Sequence, residues 1–390
     1  MELARRLQRT SEYYFSRKLE EIRRMSATGL PVINLGIGNP DMPPPEGVRR
    51  RLAQLAMEED VHGYQSYRGL PALREGLAQW YRRHYGVTLD AGSEVVPLIG
   101  SKEGIFYLSM AYLDPGDKVL VPDVGYPAYR AVSEMVEAEV VPYELSEATG
   151  WYPDFDALER SDLRGVKMMW VNYPNMPSGR PATPALLERL VAFGRKHHIL
   201  ICHDNPYSFI LNDRPLSILA VPGAKETAVE LNSLSKTYNM AGWRVGMLAG
   251  AAALVKPPFT VLSNVESGIF KPLQLAALEA LATPDSWLQE QNARYAARRR
   301  LVHHLLETLG CDYEKEGQGL FVWAATPRRE DAYAFIDRVL HEARVFITPG
   351  GIFGKNGRDH VRVSLCEEER LIEEAIERVE KNLEKITKRP

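Results

Sequence analysis

Four short apolar segments, separated by stretches with helical periodicity, constrain the fold of this chain more than any other feature. They span residues 118–121, 168–171, 199–202 and 228–231, and the stretch at 183–197 repeats apolar residues at helical spacing. Alternating strands and helices favour a mostly parallel sheet, because each crossover helix packs back onto the sheet. The sequence therefore predicts an α/β fold with helices on both faces of the sheet.

Polar residues follow closely after the last three of these segments. They are Asn172, Asp204 and Ser233. Open α/β sheets bind their ligands at the carboxyl ends of the strands. We therefore expect these three residues to lie near a ligand site.

The character of the chain changes near residue 284. A charged helical stretch at 287–309 leads into predicted strands at 319–323 and 360–365 and helices at 330–342 and 367–387. These elements predict a smaller α+β domain over residues 284–390. The turn-rich segment 36–45 marks a second boundary, so residues 46–283 form the predicted large domain. Residues 1–45 form a predicted N-terminal arm and part of the small domain.

The first 25 residues carry a mixed amphipathic pattern that predicts a helix. The pattern does not decide whether this helix packs on its own domain or on a partner subunit.

Composition excludes several classes of function. The 390 residues include 48 basic and 51 acidic side chains, a net charge of −3, which argues against nucleic acid or an anionic membrane as the main partner. Three cysteines without a CxxC pair indicate neither a disulfide framework nor a zinc site, and no metal site is predicted. No apolar run approaches about 18 residues, so we expect a soluble, cytoplasmic protein without a membrane span.

A lysine surrounded by phosphate-binding residue types is the strongest chemical signal. Lys236 lies beside Ser233 and Ser235, and Arg244 follows eight residues later. A lysine amine can condense with an aldehyde, while hydroxyls and a guanidinium suit a phosphate dianion, so the segment is typical of a pyridoxal phosphate site. A surface turn with a solvated lysine is the ordinary alternative.

Seven motifs occur in the order found in one enzyme family. They are residues 64–69 (YQSYRG), 100–103 (GSKE), 125–129 (GYPAY), 172–179 (NYPNMPSG), 204–207 (DNPY), the pair 233–236 (SLSK) and 241–246 (AGWRVG), and Arg362. Over nearly its full length the chain resembles the class I/II, fold-type I, pyridoxal-phosphate-dependent aminotransferases. The resemblance implies a large domain with a mostly parallel sheet, which binds the cofactor, and a smaller α+β domain.

The resemblance also implies roles around the cofactor ring. Lys236 would hold the cofactor covalently and move protons, Asp204 would face the pyridine nitrogen, Tyr207 would reach the phenolic oxygen and Tyr126 would stack on the ring. By this reading the catalytic residues are Lys236, Tyr207 and Asp204. Taken singly, Asp204 could instead cap a helix and Tyr126 could fill a core.

The phosphate of the cofactor has its own implied set of residues. In this chain they are Gly100, Ser101, Lys102, Ser233, Ser235 and Arg244. A helix N-terminus next to Gly100 would supply backbone donors. Tyr64 matches the tyrosine that crosses a dimer interface to the phosphate of the neighbouring subunit, so the resemblance implies a homodimer with shared active sites.

Substrate binding is implied for residues near both ends of the chain. Arg362 resembles the arginine that binds the substrate α-carboxylate with two hydrogen bonds, which a lysine cannot reproduce. Ile37 and Gly38 match the loop that covers the same carboxylate. An arginine alternating with valines could instead face solvent.

Met176 departs from the family pattern. An asparagine usually stands there and donates to the phenolic oxygen of the cofactor, but a methionine sulfur has no hydrogen to donate. We therefore expect either Asn175 to take over the donation or Tyr207 to act alone, with Met176 remaining next to the cofactor.

The function predicted from these residues is transfer of an amino group between an L-amino acid and a 2-oxo acid in two half-reactions. A carbon–sulfur β-lyase and a non-catalytic ligand sensor on the same fold are the alternatives. The substrate stays open between dicarboxylic, basic (such as diaminopimelate) and aromatic amino acids. Distal contacts are expected from residues 264–271, which offer Glu266 and Lys271.

Overall fold

The computed structural model describes residues 4–8 and 14–388. In chain order its strands are β1 (Ile33–Asn34), β2 (Val95–Leu98), β3 (Lys118–Pro122), β4 (Glu139–Tyr143), β5 (Val166–Asn172), β6 (Leu200–Asp204), β7 (Ala228–Ser233), β8 (Gly246–Gly250), β9 (Asp312–Tyr313), β10 (Phe321–Ala325), β11 (Val345–Phe346), β12 (Thr348–Pro349) and β13 (His360–Ser364). All four predicted strands are present, as β3, β5, β6 and β7.

The helices follow the same chain order. They are α1 (Arg5–Gln8), α2 (Tyr14–Ala27), α3 (Glu46–Leu55), α4 (Pro71–Tyr85), α5 (Ser101–Tyr112), α6 (Pro127–Met135), α7 (Phe155–Arg160), α8 (Pro184–His197), α9 (Leu234–Thr237), α10 (Ala252–Val265), α11 (Lys271–Leu281), α12 (Asp285–Thr308), α13 (Ala332–Ala343) and α14 (Glu369–Thr387). None of the helices in the described ranges is both long enough and apolar enough to cross a bilayer.

Seven strands form the central sheet in the order β2-β8-β7-β6-β5-β3-β4. The pairs from β7 to β4 are parallel, while β8 runs antiparallel to both of its neighbours. In β5, Met168 and Trp170 pack into the core on one face of the sheet, and Met169 and Val171 pack into the core on the other. Both faces are buried because helices cover each of them, which confirms the predicted α/β fold.

A second, four-stranded antiparallel sheet, β12-β13-β10-β9, lies in the C-terminal part of the chain. The N-terminal segment joins this part, because β1 pairs in parallel with β11, with Ile33 opposite Val345. This pairing fits the predicted grouping of residues 1–45 with the small domain. The boundaries after residues 45 and 283 stay predictions.

Helix α2 packs on its own chain. Phe15 and Ile22 are buried in the main core, with exposed fractions of 7% each. Residues 14–27 thus pack within the chain, as one of the two alternatives expected, while residues 1–3 and 9–13 lie outside the described part. Contact of this helix with a partner subunit stays a prediction.

Candidate active site

A cavity of about 550 Å³ lies where the carboxyl ends of β5, β6 and β7 meet the C-terminal sheet and α2. Asn172, Asp204 and Ser233 end these three strands and line the cavity, as predicted. The cavity also brings together most of the other predicted site residues, namely Ile37, Gly38, Ser101, Lys102, Tyr126, Met176, Tyr207, Ser235, Lys236, Arg244 and Arg362.

Asp204 is a buried carboxylate with one open oxygen. Its Oδ2 accepts a hydrogen bond from the Tyr129 hydroxyl at 2.7 Å, and its backbone oxygen accepts one from Asn172 Nδ2 at 2.7 Å. Its Oδ1 is buried and receives no hydrogen bond from the described residues. Burial raises the pKa of Asp204 to about 6, against the hydrogen bond from Tyr129. A protonated pyridine nitrogen would give Oδ1 the donor and the positive charge that it lacks.

Lys236 lies on α9, a single turn whose start is capped by Ser233, which accepts from the Ser235 N–H. Its Nζ donates to the Gly38 backbone oxygen at 2.6 Å. Burial lowers the pKa of Lys236, and the positive charges of Arg362 and Arg244 act in the same direction. A larger share of the amine is therefore neutral than for an exposed lysine, and a neutral amine is the nucleophilic form.

Backbone and side-chain donors suited to a phosphate converge at the start of α5. Gly100 precedes this helix with φ of 82°, and a Cβ there would lie 2.0 Å from Arg244 Nη2. Arg244 donates to the backbone oxygens of Ala241 at 3.0 Å and Ile99 at 3.3 Å, which holds its guanidinium beside the helix N-terminus. Ser101 lines the cavity at the first position of α5, where the backbone N–H groups favour an anion.

Arg362 lies in the middle of β13 and only 5% of it is exposed. Its guanidinium carbon lies 4.0 Å from the ring centre of Phe321 and 4.8 Å from that of Phe353. Nη2 donates to the Gly36 oxygen at 2.6 Å, and Nη1 lies 3.3 Å from the sulfur of Met176. The arginine therefore faces the cavity and not solvent, and its planar group can bind a carboxylate.

The loop after β5 carries both Asn175 and Met176. Met176 lines the cavity, but Asn175 does not. Its Nδ2 donates to the Asn172 oxygen at 3.1 Å, and its Oδ1 accepts from the Ser178 hydroxyl at 2.7 Å. Because this amide is bonded within its own loop, the geometry does not support the expectation that Asn175 replaces the missing donor.

Two aromatic side chains border the cavity as expected. Tyr126 stands directly before α6, and its ring meets that of Tyr129 edge-on at 5.6 Å. Tyr207 packs edge-on against Phe321 with ring centres 5.9 Å apart. Both rings line the same cavity as Asp204 and Lys236.

Tyr64 lies outside this cavity, and 93% of it is exposed. Within one chain it therefore makes no contribution to the cavity walls. Its expected contact with the phosphate of a neighbouring subunit stays a prediction.

Sequence reasoning missed the contribution of α2. Phe15, Ser16 and Leu19 line the cavity, and the Phe15 ring centre lies 5.6 Å from the Arg362 guanidinium carbon. The amphipathic pattern of residues 1–25 indicated a helix, but it could not show which neighbour its apolar face meets.

Comparisons with known proteins agree with this geometry. The family model described as aminotransferase class I and II matches residues 31–379. The LL-diaminopimelate aminotransferase of Moorella thermoacetica is 40% identical over 388 residues, which cover 99% of this chain and 100% of that protein. That of Desulforudis audaxviator is 40% identical, with 98% of each chain covered.

Solved structures give the same result for the fold. A substrate-bound BacF structure from Bacillus subtilis matches with a TM-score of 0.92 at 36% identity, covering 98% of each chain. A single mutant of Thermus thermophilus aspartate aminotransferase matches with a TM-score of 0.90 at 27% identity, covering 98% of this chain and 99% of that one.

The burial of Lys236 predicts a pH-dependent cost to stability. Without cofactor, the folded chain holds this proton less tightly than the unfolded chain, so the free energy of unfolding rises with pH up to the pKa of an exposed lysine. Lys236→Met removes the buried charge, and we expect the variant without cofactor to unfold at a higher temperature than the wild-type protein without cofactor at pH 7. The difference should shrink as the pH approaches about 10. A constant difference across this range in thermal unfolding would contradict the prediction.

Proposed function

Because this chain belongs to the class I and II aminotransferases, enzymes that depend on pyridoxal phosphate, we propose that the cavity binds this cofactor and that Lys236 is the amine to which it is attached. The chain is an aminotransferase that moves an amino group between an amino acid and a 2-oxo acid. The site assignment rests on one observation. Asp204, whose buried Oδ1 receives no hydrogen bond from the described residues, lines the same cavity as Lys236.

The residues present fit the cofactor at both of its polar ends. When bound, pyridoxal phosphate supplies an electron sink for the negative charge that develops on the substrate α-carbon. Asp204 would keep the ring nitrogen protonated, which preserves that sink. The phosphate would be held near the start of α5 by Ser101, Lys102, Ser233, Ser235 and Arg244, and Gly100 leaves room for Arg244.

The remaining ring contacts fall to two tyrosines. Tyr126 would stack on the ring face, and Tyr207 would donate to the phenolic oxygen. Met176 cannot donate, and the amide of Asn175 is engaged elsewhere, so Tyr207 is the side chain proposed to hold this oxygen.

Lys236 also moves the proton of the reaction. Its depressed pKa favours the neutral amine, which can accept the proton that leaves the substrate α-carbon and later return it. The bond from Nζ to the Gly38 oxygen keeps the amine at the cavity wall that faces Arg362.

Arg362 binds the α-carboxylate of the amino acid and of the 2-oxo acid. Its contact with Met176 leaves a weak acceptor on Nη1, which a carboxylate oxygen displaces readily. Ile37 and Gly38 close the cavity beside it.

The proposed amino-acid substrate is LL-diaminopimelate. Its support is the pair of relatives of that name, each 40% identical over almost the whole of both chains. Glutamate is the expected amino donor when the whole reaction runs towards LL-diaminopimelate. A carbon–sulfur β-lyase would use the same lysine but would release pyruvate and ammonia.

A screen of single half-reactions tests the function and the substrate together. Holoenzyme mixed with one amino acid at a time should convert its cofactor to pyridoxamine phosphate, and LL-diaminopimelate should react about tenfold faster or more than aromatic amino acids. The Lys236→Ala variant is the control and should give no conversion with any of them. Release of pyruvate and ammonia would show a lyase, and conversion by a different amino acid alone would overturn the substrate but not the class.

The carboxylate role of Arg362 predicts a selective loss in Arg362→Lys. A point charge cannot reproduce two parallel hydrogen bonds, so KM for amino acid and 2-oxo acid should rise about 10- to 100-fold, as the loss of one charged hydrogen bond implies. Cofactor affinity should stay at the wild-type level. Arg358→Lys is the matched control, because Arg358 is exposed and pairs only with Asp331 among the ion pairs of the described chain. An unchanged KM for both substrates would place the carboxylate elsewhere.

We also propose a homodimer in which Tyr64 reaches the phosphate of the partner subunit. Its support is a set of exposed large apolar side chains on two segments that meet where Phe270 stacks on His62, namely Met57, Tyr64, Tyr67, Val265 and Phe270, with exposed fractions from 42% to 93%. Exposed apolar side chains on neighbouring segments are typical of protein interfaces. The cytoplasmic location likewise stays a prediction from the sequence.

Mixing two inactive or weakened variants tests the shared site. In a heterodimer of Lys236→Ala with Tyr64→Phe chains, one site combines the intact Lys236 of one chain with the intact Tyr64 of the other. This site should recover wild-type cofactor affinity and activity, whereas Tyr64→Phe alone should bind cofactor more weakly. Tyr67→Phe, at an exposed tyrosine in the same segment, is the control and should leave affinity unchanged. Activity of the mixture equal to the mean of the two parents would argue against sharing.

A further inference from the structure

Two ionisable side chains next to Asp204 in the central sheet are fully buried. His203 on β6 and Glu230 on β7 are opposite each other in the sheet, and both have an exposed fraction of 0%. His203 Nδ1 lies 3.0 Å from Glu230 Oε2, and Nε2 lies 2.9 Å from the backbone oxygen of Tyr173. Neither side chain lines the cavity, so the contacts described so far give them no role.

The hydrogen bonds favour one arrangement of charge in this pair. The Tyr173 oxygen can only accept, so Nε2 carries a proton. Glu230 accepts from the hydroxyls of Tyr81 and Ser217, both at 2.9 Å, and from the Ile218 N–H at 3.1 Å. Three donors stabilise a carboxylate, so the remaining contact is a donation from Nδ1 of His203.

This pattern favours an imidazolium on His203 paired with a carboxylate on Glu230. The other titratable groups that face the pair are Tyr81 and Tyr85 on α4, and burial raises the pKa of both hydroxyls well above the usual range. These tyrosines stay neutral, so among the described side chains that contact the pair the charge lies on His203 and Glu230 themselves.

This charge acts on Asp204, the next residue along β6. Burial raises the pKa of Asp204. The positive charge of His203 lowers this pKa, and the negative charge of Glu230 raises it by a smaller amount. Tyr129 assists from the opposite face by donating to Oδ2. The imidazolium thus favours the ionised form of Asp204 without touching the cavity.

We propose that His203, held as an imidazolium by Glu230, is a positioning residue that keeps Asp204 ionised and so keeps the proton on the ring nitrogen of the bound cofactor. The inference rests on the proposed function, in which Asp204 faces that nitrogen. Loss of the imidazolium would move the shared proton from the ring nitrogen towards the Asp204 carboxylate.

The experiment measures the ring nitrogen directly. Holoenzymes are prepared with pyridoxal phosphate labelled with ¹⁵N in the ring, and the ¹⁵N chemical shift gives the ratio of protonated to neutral nitrogen at pH 7.5. His203→Gln removes the positive charge and leaves Glu230 alone, so we expect this ratio to fall about tenfold, the change that one pKa unit produces. The double variant His203→Gln/Glu230→Gln restores the net charge of the pair to zero and should give a ratio between those of wild type and the single variant.

Tyr81→Phe is the matched control, because it removes one buried hydrogen bond from Glu230 but no charge. We expect its ¹⁵N shift to equal that of the wild type. If His203→Gln does not fold, the double variant alone tests the proposal, and we expect its ratio of protonated to neutral ring nitrogen to be lower than that of the wild type. A wild-type shift in both His203 variants, or an equal fall in Tyr81→Phe, would overturn the proposal.

Asp204→Asn separates this outcome from failure of the proposed site. It should leave the ring nitrogen neutral whatever residue stands at position 203. If Asp204→Asn keeps the protonated shift, then Asp204 does not face the nitrogen, and the error lies in the proposed site and not in the pairing of His203 with Glu230.

Discussion

A carboxylate buried in a protein needs positive charge nearby, and the architecture around Asp204 is organised by that need. Parallel pairing of β5, β6 and β7 places Asp204 at the carboxyl end of a central strand. There Asn172 donates to its backbone oxygen and Tyr129 donates to one carboxylate oxygen. The second oxygen is buried and receives no hydrogen bond from the described residues. In the proposed site a cationic ring would supply the missing donor and charge.

One short stretch of main chain, residues 36–38, connects two of the positively charged side chains of the cavity. Arg362 donates to the Gly36 oxygen and Lys236 to the Gly38 oxygen, each at 2.6 Å. Side chains are excluded here, because a Cβ on Gly36 would lie 2.3 Å from Phe346 and one on Gly38 would lie 2.2 Å from Phe321. The separation between the proposed carboxylate anchor and the reactive amine is thus governed by backbone and not by flexible side chains.

The sequence was sufficient to predict four of the seven strands of the central sheet and the polar residues that end three of them, because apolar runs and helical periodicity record burial directly. It could not predict that β8 enters the sheet antiparallel between β2 and β7, since strand pairing depends on distant residues. Side-chain direction was also beyond it. Asn175 and Met176 are adjacent in the chain, yet only Met176 reaches the cavity, because the amide of Asn175 is satisfied inside its loop.

The enclosure of Arg362 by aromatic rings has a thermodynamic consequence. Phe15, Phe321 and Phe353 replace much of the water that would surround an exposed guanidinium. The free-energy cost of dehydrating this cation therefore arises when the chain folds and not when a ligand binds. A carboxylate that enters the cavity meets a guanidinium that is already largely dehydrated and oriented. Burying the guanidinium lowers the free energy of unfolding but raises the affinity for the proposed substrate. Natural proteins commonly show this opposition between stability and function at their functional sites.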